Sequence, residues 1–319
     1  MRAALLAAAF ALAAGSALAQ PFPAKPVRVV VPFPPGGNSD ALARIVGAEL
    51  AKPLGQNVVV ENRPGAGGTI AAAAVAKSPA DGYTLLLNTA GTHGIATTLY
   101  PKLSYDAIRD FEPVTNVAAA PLLFLVGADS PHRALRDLVA AAKARPGALP
   151  FGSAGMGSSG HMATEMFLTM AGIEMVHVPY KGGHLAAADL MAGLVHLVLD
   201  QIPASLPQIR AGKMRALAIS TPKRSGLLPE VPTAAEAGVP GYDAQSWFGL
   251  VAPAGTPREV VQRLHAEVTR VLAVAEVRAR IQGIGMEPVG DTPEQFSAHI
   301  RSEIERWGRV VRAAGVKAE

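Results

Sequence analysis

The 319-residue sequence contains no cysteine. Disulfides, thiolate nucleophiles and cysteine-bound metals are therefore excluded, and the fold must rest on packing alone. Charge is also scarce: 17% of residues are Asp, Glu, Lys or Arg, with a net charge of +4. The basic residues are scattered, with no run of the kind that follows a phosphate backbone, so nucleic acid is not an expected partner. Beyond the first twenty residues no apolar stretch reaches the ~18 residues a membrane-spanning helix needs. The eight histidines form no H-E-x-x-H or other close ligand pair, so no metal is expected. No nucleophile elbow G-x-S-x-G is present either, since Ser153, Ser158 and Ser159 all miss that spacing.

What is present is 50% hydrophobic and long enough for two domains at roughly 100–200 residues each. The first residues stand apart. Arg2 precedes an Ala- and Leu-rich run that ends at Ala17-Leu18-Ala19, a small-x-small site before Gln20. This has the form of a secretory signal peptide, residues 1–19, cleaved after Ala19. The mature chain is thus expected to be exported, and with no cysteine after the site it carries no lipid anchor.

From Lys25 onward strands alternate with helices. Apolar runs predict strands at Val27–Phe33, Asn57–Glu61, Tyr83–Asn88, Leu149–Gly152, Met175–Tyr180, Leu194–Leu199 and Arg215–Ser220, with helices between them. Continuous rather than alternating apolar strands argue for a mainly parallel sheet covered on both faces. Two further extended segments, Val114–Val126, broken at Pro121, and Gln245–Val251, are read as crossings between lobes. The expected division is lobe I at 22–121 plus 246–319 and lobe II at 122–245. Two amphipathic helices close the chain, with stripes at Val260, Val261, Leu264, Val268, Val271 and Leu272, and at Phe296, Ile300, Ile304, Trp307 and Val311. These, and the row Met162, Met166, Met170, are read as core.

The stretch Val29–Val46, VVVPFPPGGNSDALARIV, runs from a strand through a glycine turn into a helix. The first N–H groups of such a helix have no partner and carry the positive end of its dipole, which makes an anion site. Asn38 or Ser39 is expected to cap it, with Asp40 in the first turn. The same grammar recurs at Leu149–Phe167, where His161 is either an anion donor or a surface histidine. The run Gly155–Gly160 matches G-x-G-x-x-G, but no acid ends the following strand to hold a ribose, so no dinucleotide cofactor is expected. Asp200 ends the apolar strand LVHLVLD, where its carboxylate either faces a ligand or caps the next helix. Trp247 and Phe248 are either hinge packing or cleft wall.

Together these stretches resemble the Bordetella uptake gene (Bug) family, the periplasmic substrate-binding proteins of tripartite tricarboxylate transporters. The matching runs include KPVRVVVPFPPGGNSDALAR, VENRPGAGGTIAAAAVA, DGYTLLLNTAGTH, FGSAGMGSSGHMATEMF, HVPYKGG, SWFGLVAPAGTP and RWGRVV, spanning Lys25 to Val311. The visible departure is Gly183-His184-Leu185, where many relatives carry Ala, Ala and Pro. The resemblance implies a two-lobed α/β flytrap of the periplasmic-binding-protein type, without cofactor or enzymatic activity. It implies a small carboxylate ligand (dicarboxylate, aromatic carboxylate or amino acid), transporter membrane components as partners, and a monomer. It carries ligand contacts onto Phe33, Gly36, Gly37, Asn38 and Ser39, and onto Thr89, Ala90, Thr92 and His93. In lobe II it carries them onto Ser153, Ser158, Ser159, His161, Tyr180 and Asp200. The other class to weigh is a secreted α/β enzyme for a small anionic substrate, or a nucleotide-binding protein.

Overall fold

The structure is a computed structural model that describes residues 22–317; the expected signal peptide lies outside the described residues. The valine-rich strand β1 (Val27–Val31) is flanked in parallel by β2 (Val58–Asn62) and β3 (Thr84–Thr89). Helix α1 (Asn38–Leu54) links β1 to β2, and α2 (Thr69–Ala76) links β2 to β3. Thr89 then caps a π-helical turn, Ala90–Ile95, that continues into the short α3 (Ala96–Leu99).

The next strand, β4 (Phe111–Gly127), is 17 residues long and serves both halves of the molecule. Its second half is joined by elements that follow it in the chain. These are α4 (Leu135–Ala144), β5 (Pro150–Ser153), α5 (Ser159–Ala171), β6 (Val176–Pro179), α6 (Gly183–Met191), β7 (Leu197–Gln201), α7 (Ile202–Arg210) and β8 (Met214–Ile219). The chain returns through β9 (Gln245–Pro253) and closes with α8 (Arg258–Ala273), α9 (Ala275–Gly283), the two-residue β10 (Glu287–Pro288) and α10 (Pro293–Ala314). The sheet runs β2-β1-β3-β9-β4-β7-β5-β6, with β8 and β10 also paired to β4. It is mixed: β2-β1-β3 and β7-β5-β6 are parallel, whereas every pairing of β4 and the β3–β9 pairing are antiparallel.

Pro121 does not break β4. It faces Gln245 of β9, and the next residue, Leu122, already faces Gln201 of β7. A proline removes one ladder N–H, and the exchange of partners is where that loss matters least.

Both faces of each half-sheet are covered. Leu42, Val46 and Leu50 of α1 pack with Val261, Leu264 and Val268 of α8 on one face of the β1 half, and α2 with Phe296 and Ile300 of α10 on the other. In the β5 half, Leu135 and Leu138 of α4 and Phe167 of α5 cover one face, with α6 and α7 on the other. The α10 stripe is core as expected, but it is divided: Phe296 and Ile300 belong to the first half, Trp307 and Val311 to the second. Full burial of such side chains contributes roughly 1.5–3 kcal/mol each, so α10 is fastened to both. In the methionine row Met162 is buried but Met170 is 43% exposed, which corrects the reading of all three as core.

Candidate functional site

The helix starts show where polar backbone is left open. The N-cap of α1 is Gly37, not Asn38 or Ser39, and no side chain caps it. Asp40 instead turns back to accept the Gly36 N–H at 3.0 Å and to pair with Arg44 at 3.0 Å. Burial would raise its pKa, but the bonds from Arg44, Gly36 and Asn62 hold it below the usual carboxylate value. With Asp40 so engaged, the first N–H groups of α1 face outward without an intrahelical partner.

They face a cavity of about 110 Å³ between the two halves of the sheet. One wall is Phe33, Pro34, Gly36, Gly37, Asn38, Ser39 and Thr89; the other is Ala154, Ser158, Ser159 and Gly160 with Gly182, Gly183 and His184; Leu199, Asp200, Gln201 and Ala204 lie beside it, and Ser246 and Phe248 of β9 complete it. The starts of α1, α5, α6 and α7 therefore converge on one small space, and no Lys or Arg is among its lining residues. Helix N-termini supply oriented donors and positive potential, so this arrangement holds an anion without a cationic side chain.

The second wall fits closely. Ser158 caps α5 by accepting the His161 N–H at 3.3 Å, and Ser159 meets Ser246 of β9 at 3.2 Å, Oγ to Oγ. A side chain at Gly160 would place its Cβ 2.2 Å from the Leu199 carbonyl oxygen, so α5 can start this near β7 only with glycine there. Gly183 is equally constrained, for a Cβ there would stand 2.5 Å from Asp200 Oδ2. Helix α6 begins at Gly183 itself.

Asp200 is not the cap of the following helix; the N-cap of α7 is Gln201. Its Oδ1 accepts the Gln201 N–H at 2.8 Å and lies 3.5 Å from Asn38 Nδ2 on the opposite wall, and Asn38 also bonds the Gln201 side chain. Burial pushes the Asp200 pKa up to about 6, against the lowering effect of the Gln201 N–H.

Of the residues expected at a site, Phe33, Gly36, Gly37, Asn38, Ser39, Thr89, Ser158, Ser159 and Asp200 share this cavity. The others do not line it. Ala90, Thr92 and His93 are buried behind Thr89: Ala90 packs in the core with Val30 and Leu86, Thr92 closes a reciprocal cap with Thr89, and His93 packs on Phe111 at 4.7 Å. Ser153 is buried with its Oγ 2.7 Å from His177 Nε2. His161 is neither at the surface nor in the cavity; it stacks on His177 at 3.8 Å and accepts the Gly157 N–H through Nδ1. Tyr180 donates to Asp189 at 2.6 Å. Burial, and then the neighbouring His161, hold the His177 pKa down at about 3. These groups support the wall from behind. Lining residues that the sequence reading did not single out include Pro34, Gly182, Gln201 and Ser246, and Gly183 and His184, noted there only as a departure from relatives, also line it. Gln201 and Ser246 were discoverable, since they adjoin Asp200 and lie on the crossing strand. Trp247 faces away from the cavity, and Phe248 toward it.

The family described as "Tripartite tricarboxylate transporter family receptor" matches residues 42–316. The chain belongs to this family. A family relative, protein BugT of Bordetella pertussis, is 40% identical over 300 residues, covering 94% of this chain and 92% of its own. A protein from the tcbD-tcbE intergenic region of Pseudomonas sp. strain P51 is 42% identical over 291 residues, covering 91% and 86%. Among solved structures, Rpa4515 of R. palustris with adipate is 43% identical with a TM-score of 0.89, covering 93% of this chain and 99% of that one. MatC from Rhodopseudomonas palustris with bound malate is 38% identical with a TM-score of 0.86, covering 91% and 100%. Membership makes the chain a solute-binding protein of the periplasmic-binding-protein fold, in a family of receptors rather than of enzymes. No helix among the described residues is long and apolar enough to cross a membrane.

Proposed function

We propose that this chain captures a small dicarboxylate in the periplasm, without catalysing its conversion, and delivers it to the membrane components of a tripartite transporter. The observation that carries the reading is the convergence of four helix starts on a cavity of about 110 Å³ with no lining Lys or Arg. Such a space is small beside the ~300–1,000 Å³ of drug-sized sites. Donors of this kind hold a carboxylate by dipoles and hydrogen bonds, which suits capture followed by release. The adipate with Rpa4515 and the malate bound to MatC support a diacid. The ligand contacts of the reading are the lining residues of α1, α5, β7 and the Thr89 turn.

The reading includes export by the leader, cleavage after Ala19, and a monomer in solution. It also includes two lobes, 22–121 plus 246–319 and 122–245, that close on the ligand as a hinge about β4 and β9. The double attachment of α10 makes it a third link that such closure must bend or slide.

A thermal-shift screen of small carboxylates tests the reading. A ligand at 100 times its dissociation constant stabilises the folded protein by about 2.7 kcal/mol. A melting shift with C4 to C6 diacids and none with nucleotides is expected. Turnover of an ester or nucleotide, with no carboxylate shift, would replace it with the enzyme reading.

A further inference from the structure

Asp200 is the buried titratable group that reaches the cavity. Its Oδ1 is engaged by the Gln201 N–H at 2.8 Å and faces Asn38 Nδ2 at 3.5 Å. Its Oδ2 makes no hydrogen bond among the described residues and lies against the backbone of Gly183, at the lip of the cavity. Among the described residues no Lys or Arg lines the cavity beside it, and Lys181, in the loop before α6, is exposed. From α1 the nearest charges are Asp40 and Arg44, which pair with each other. From α6 come His184, exposed at the rim, and Asp189, which is held by the Tyr180 hydroxyl. On α5, His161 is turned toward Glu165 and Gly157, and on α7 the basic residue is Arg210 in the last turn. The stretch of β4 beside Asp200, Leu122–Leu125, and all of β9 are uncharged.

A dianionic ligand held between α1 and β7 would bring its far carboxylate against this one, in a space lined by no Lys or Arg. Two facing carboxylates cannot both stay ionised at contact; one takes a proton. We propose that a dicarboxylate binds with one proton taken up from solvent onto Asp200 Oδ2, so that Asp200 enters the complex as a carboxylic acid donating to the ligand's second carboxylate. The proton leaves hydronium or a buffer acid and forms an O–H bond on Oδ2; one proton and one dianion join the protein, and the new hydrogen bond runs from Asp200 to the ligand. Oδ2 is the oxygen left free for that proton, because Oδ1 already accepts from the backbone. The inference rests on the diacid reading and specifies it: the site selects ligands whose far end accepts a hydrogen bond, and it binds them more tightly as the medium acidifies.

Burial already holds the Asp200 pKa at about 6 in the free protein, so the proton is easily gained near neutral pH. A ligand carboxylate beside it raises that value further. By linkage, affinity then increases by up to about tenfold for each pH unit between the bound and the free pKa values, and levels off below the free one.

Calorimetry of the mature protein with adipate and with malate, at pH 7.0 in two buffers of different ionisation enthalpy, measures the proton directly. Uptake of most of one proton per diacid is expected, with affinity rising as the pH falls from 8 to 6.5. Asp200→Asn, with its melt checked, supplies a permanent donor; it is expected to abolish the uptake, flatten the pH profile and bind diacids tenfold or more tightly at pH 8. His184→Ala is expected to keep the uptake. Diacid binding without proton uptake overturns the inference, as does loss of the uptake in His184→Ala rather than Asp200→Asn. Preference for an amino acid, bound without uptake, also overturns it, because its ammonium would then pair with an ionised Asp200 while carboxylate capture stands. If no carboxylate of any kind binds, the functional reading itself fails.

Discussion

Asn38 and Asp200 stand 162 residues apart in sequence, yet the Asn38 side-chain amide lies 3.5 Å from the Asp200 carboxylate across the cavity. One belongs to the first turn of α1 and the other to the end of β7, so the pair is a direct bond between opposite walls. Removing the amide in Asn38→Ala leaves the carboxylate and the Gln201 side chain without their cross-cavity donor. With Asp200 a carboxylic acid in the complex, the lost hydrogen bond is worth about 0.5–1.5 kcal/mol, a roughly twofold to tenfold loss of diacid affinity. Asn38→Asp should be worse, because its carboxylate adds a charge beside the bound dianion, and two carboxylates about 4 Å apart repel by about 4 kcal/mol at an effective dielectric of 20. Calorimetry with adipate at pH 7.5 ranks the three proteins. Equal affinities would mean that this bond does not contribute to holding the walls together.

Stability should depend on pH through groups of opposite sign. Burial lowers the pKa of His93 from 6.5 to about 3, and burial with the His161 charge does the same for His177. Their contribution is complete above pH 6.5 and is lost as pH falls toward 3, because the unfolded chain then binds protons that the folded one excludes. Asp200 works the other way. Its pKa is raised from 3.8 to about 6, so its contribution is complete below 3.8 and lost as pH rises through 6. At 1.36 kcal/mol per pKa unit this amounts to at most about 3 kcal/mol at neutral pH. The wild-type melting temperature should therefore fall from pH 7 to pH 4, driven by two histidines against one aspartate. Asp200→Asn should melt several degrees higher at pH 7.5 and coincide with wild type near pH 4. A gap between the two that stayed constant with pH would show that the charge of Asp200 is not its source.

How legible this was in the sequence depends on what each signal measures. The strand-turn-helix grammar located α1 and α5, and the apolar runs located the strands around them. Apolar continuity was read as parallel pairing, but it reports burial on both faces. β4 and β9 are as continuous as β1 and run antiparallel, because helices cover them on both sides all the same. Proximity in sequence was a poorer guide to the lining. Thr92 and His93 adjoin Thr89 yet turn into the core, because the π-helical turn Ala90–Ile95 is buried along its whole length. Gln201 was missed and Gly183 was noted only as a departure from relatives, because their approach to Asn38 and Asp200 is created by the folded topology alone. His161 shows the same limit: a helix-start histidine reads as a donor, and its stacking on His177 is a tertiary fact.

The link between the two halves through α10 has its own test. Glu303 Oε2 accepts from the indole of Trp247 on β9 at 2.9 Å and from that of Trp307 at 2.7 Å, and Oε1 pairs with Arg306 at 3.3 Å. The carboxylate is 5% exposed, so removing it strands two buried donors. Glu303→Ala should destabilise by about 3–5 kcal/mol, as when one partner of a buried charge pair is lost. Glu303→Gln keeps an acceptor oxygen and should cost about 1.5–3 kcal/mol, the worth of hydrogen bonds to a charged group. Urea unfolding measures both. A larger loss in the glutamine variant than in the alanine variant would contradict the role of Oε2 as a shared acceptor.

The fit of α6 against β7 offers the sharpest steric prediction. Gly183 has an ordinary helical position, so an added methyl strains no backbone angle; what it meets is Asp200 Oδ2, 2.5 Å from the ideal Cβ. Contacts that short are not tolerated, so in Gly183→Ala either α6 retreats or the carboxylate swings toward Asn38 and into the cavity. Overpacking of this kind costs about 1–3 kcal/mol, which leaves a protein of this size folded with a melting temperature a few degrees lower at about 2–4 °C per kcal/mol. Binding should suffer more than stability, because a cavity of about 110 Å³ has no spare volume for a displaced carboxylate. Adipate affinity is expected to fall tenfold or more at pH 7.5. The double variant Gly183→Ala with Asp200→Ala removes both the intruding methyl's obstacle and the carboxylate, and should recover the melting temperature of Asp200→Ala alone. Two penalties that simply add in the double variant would show that the methyl and the carboxylate do not meet.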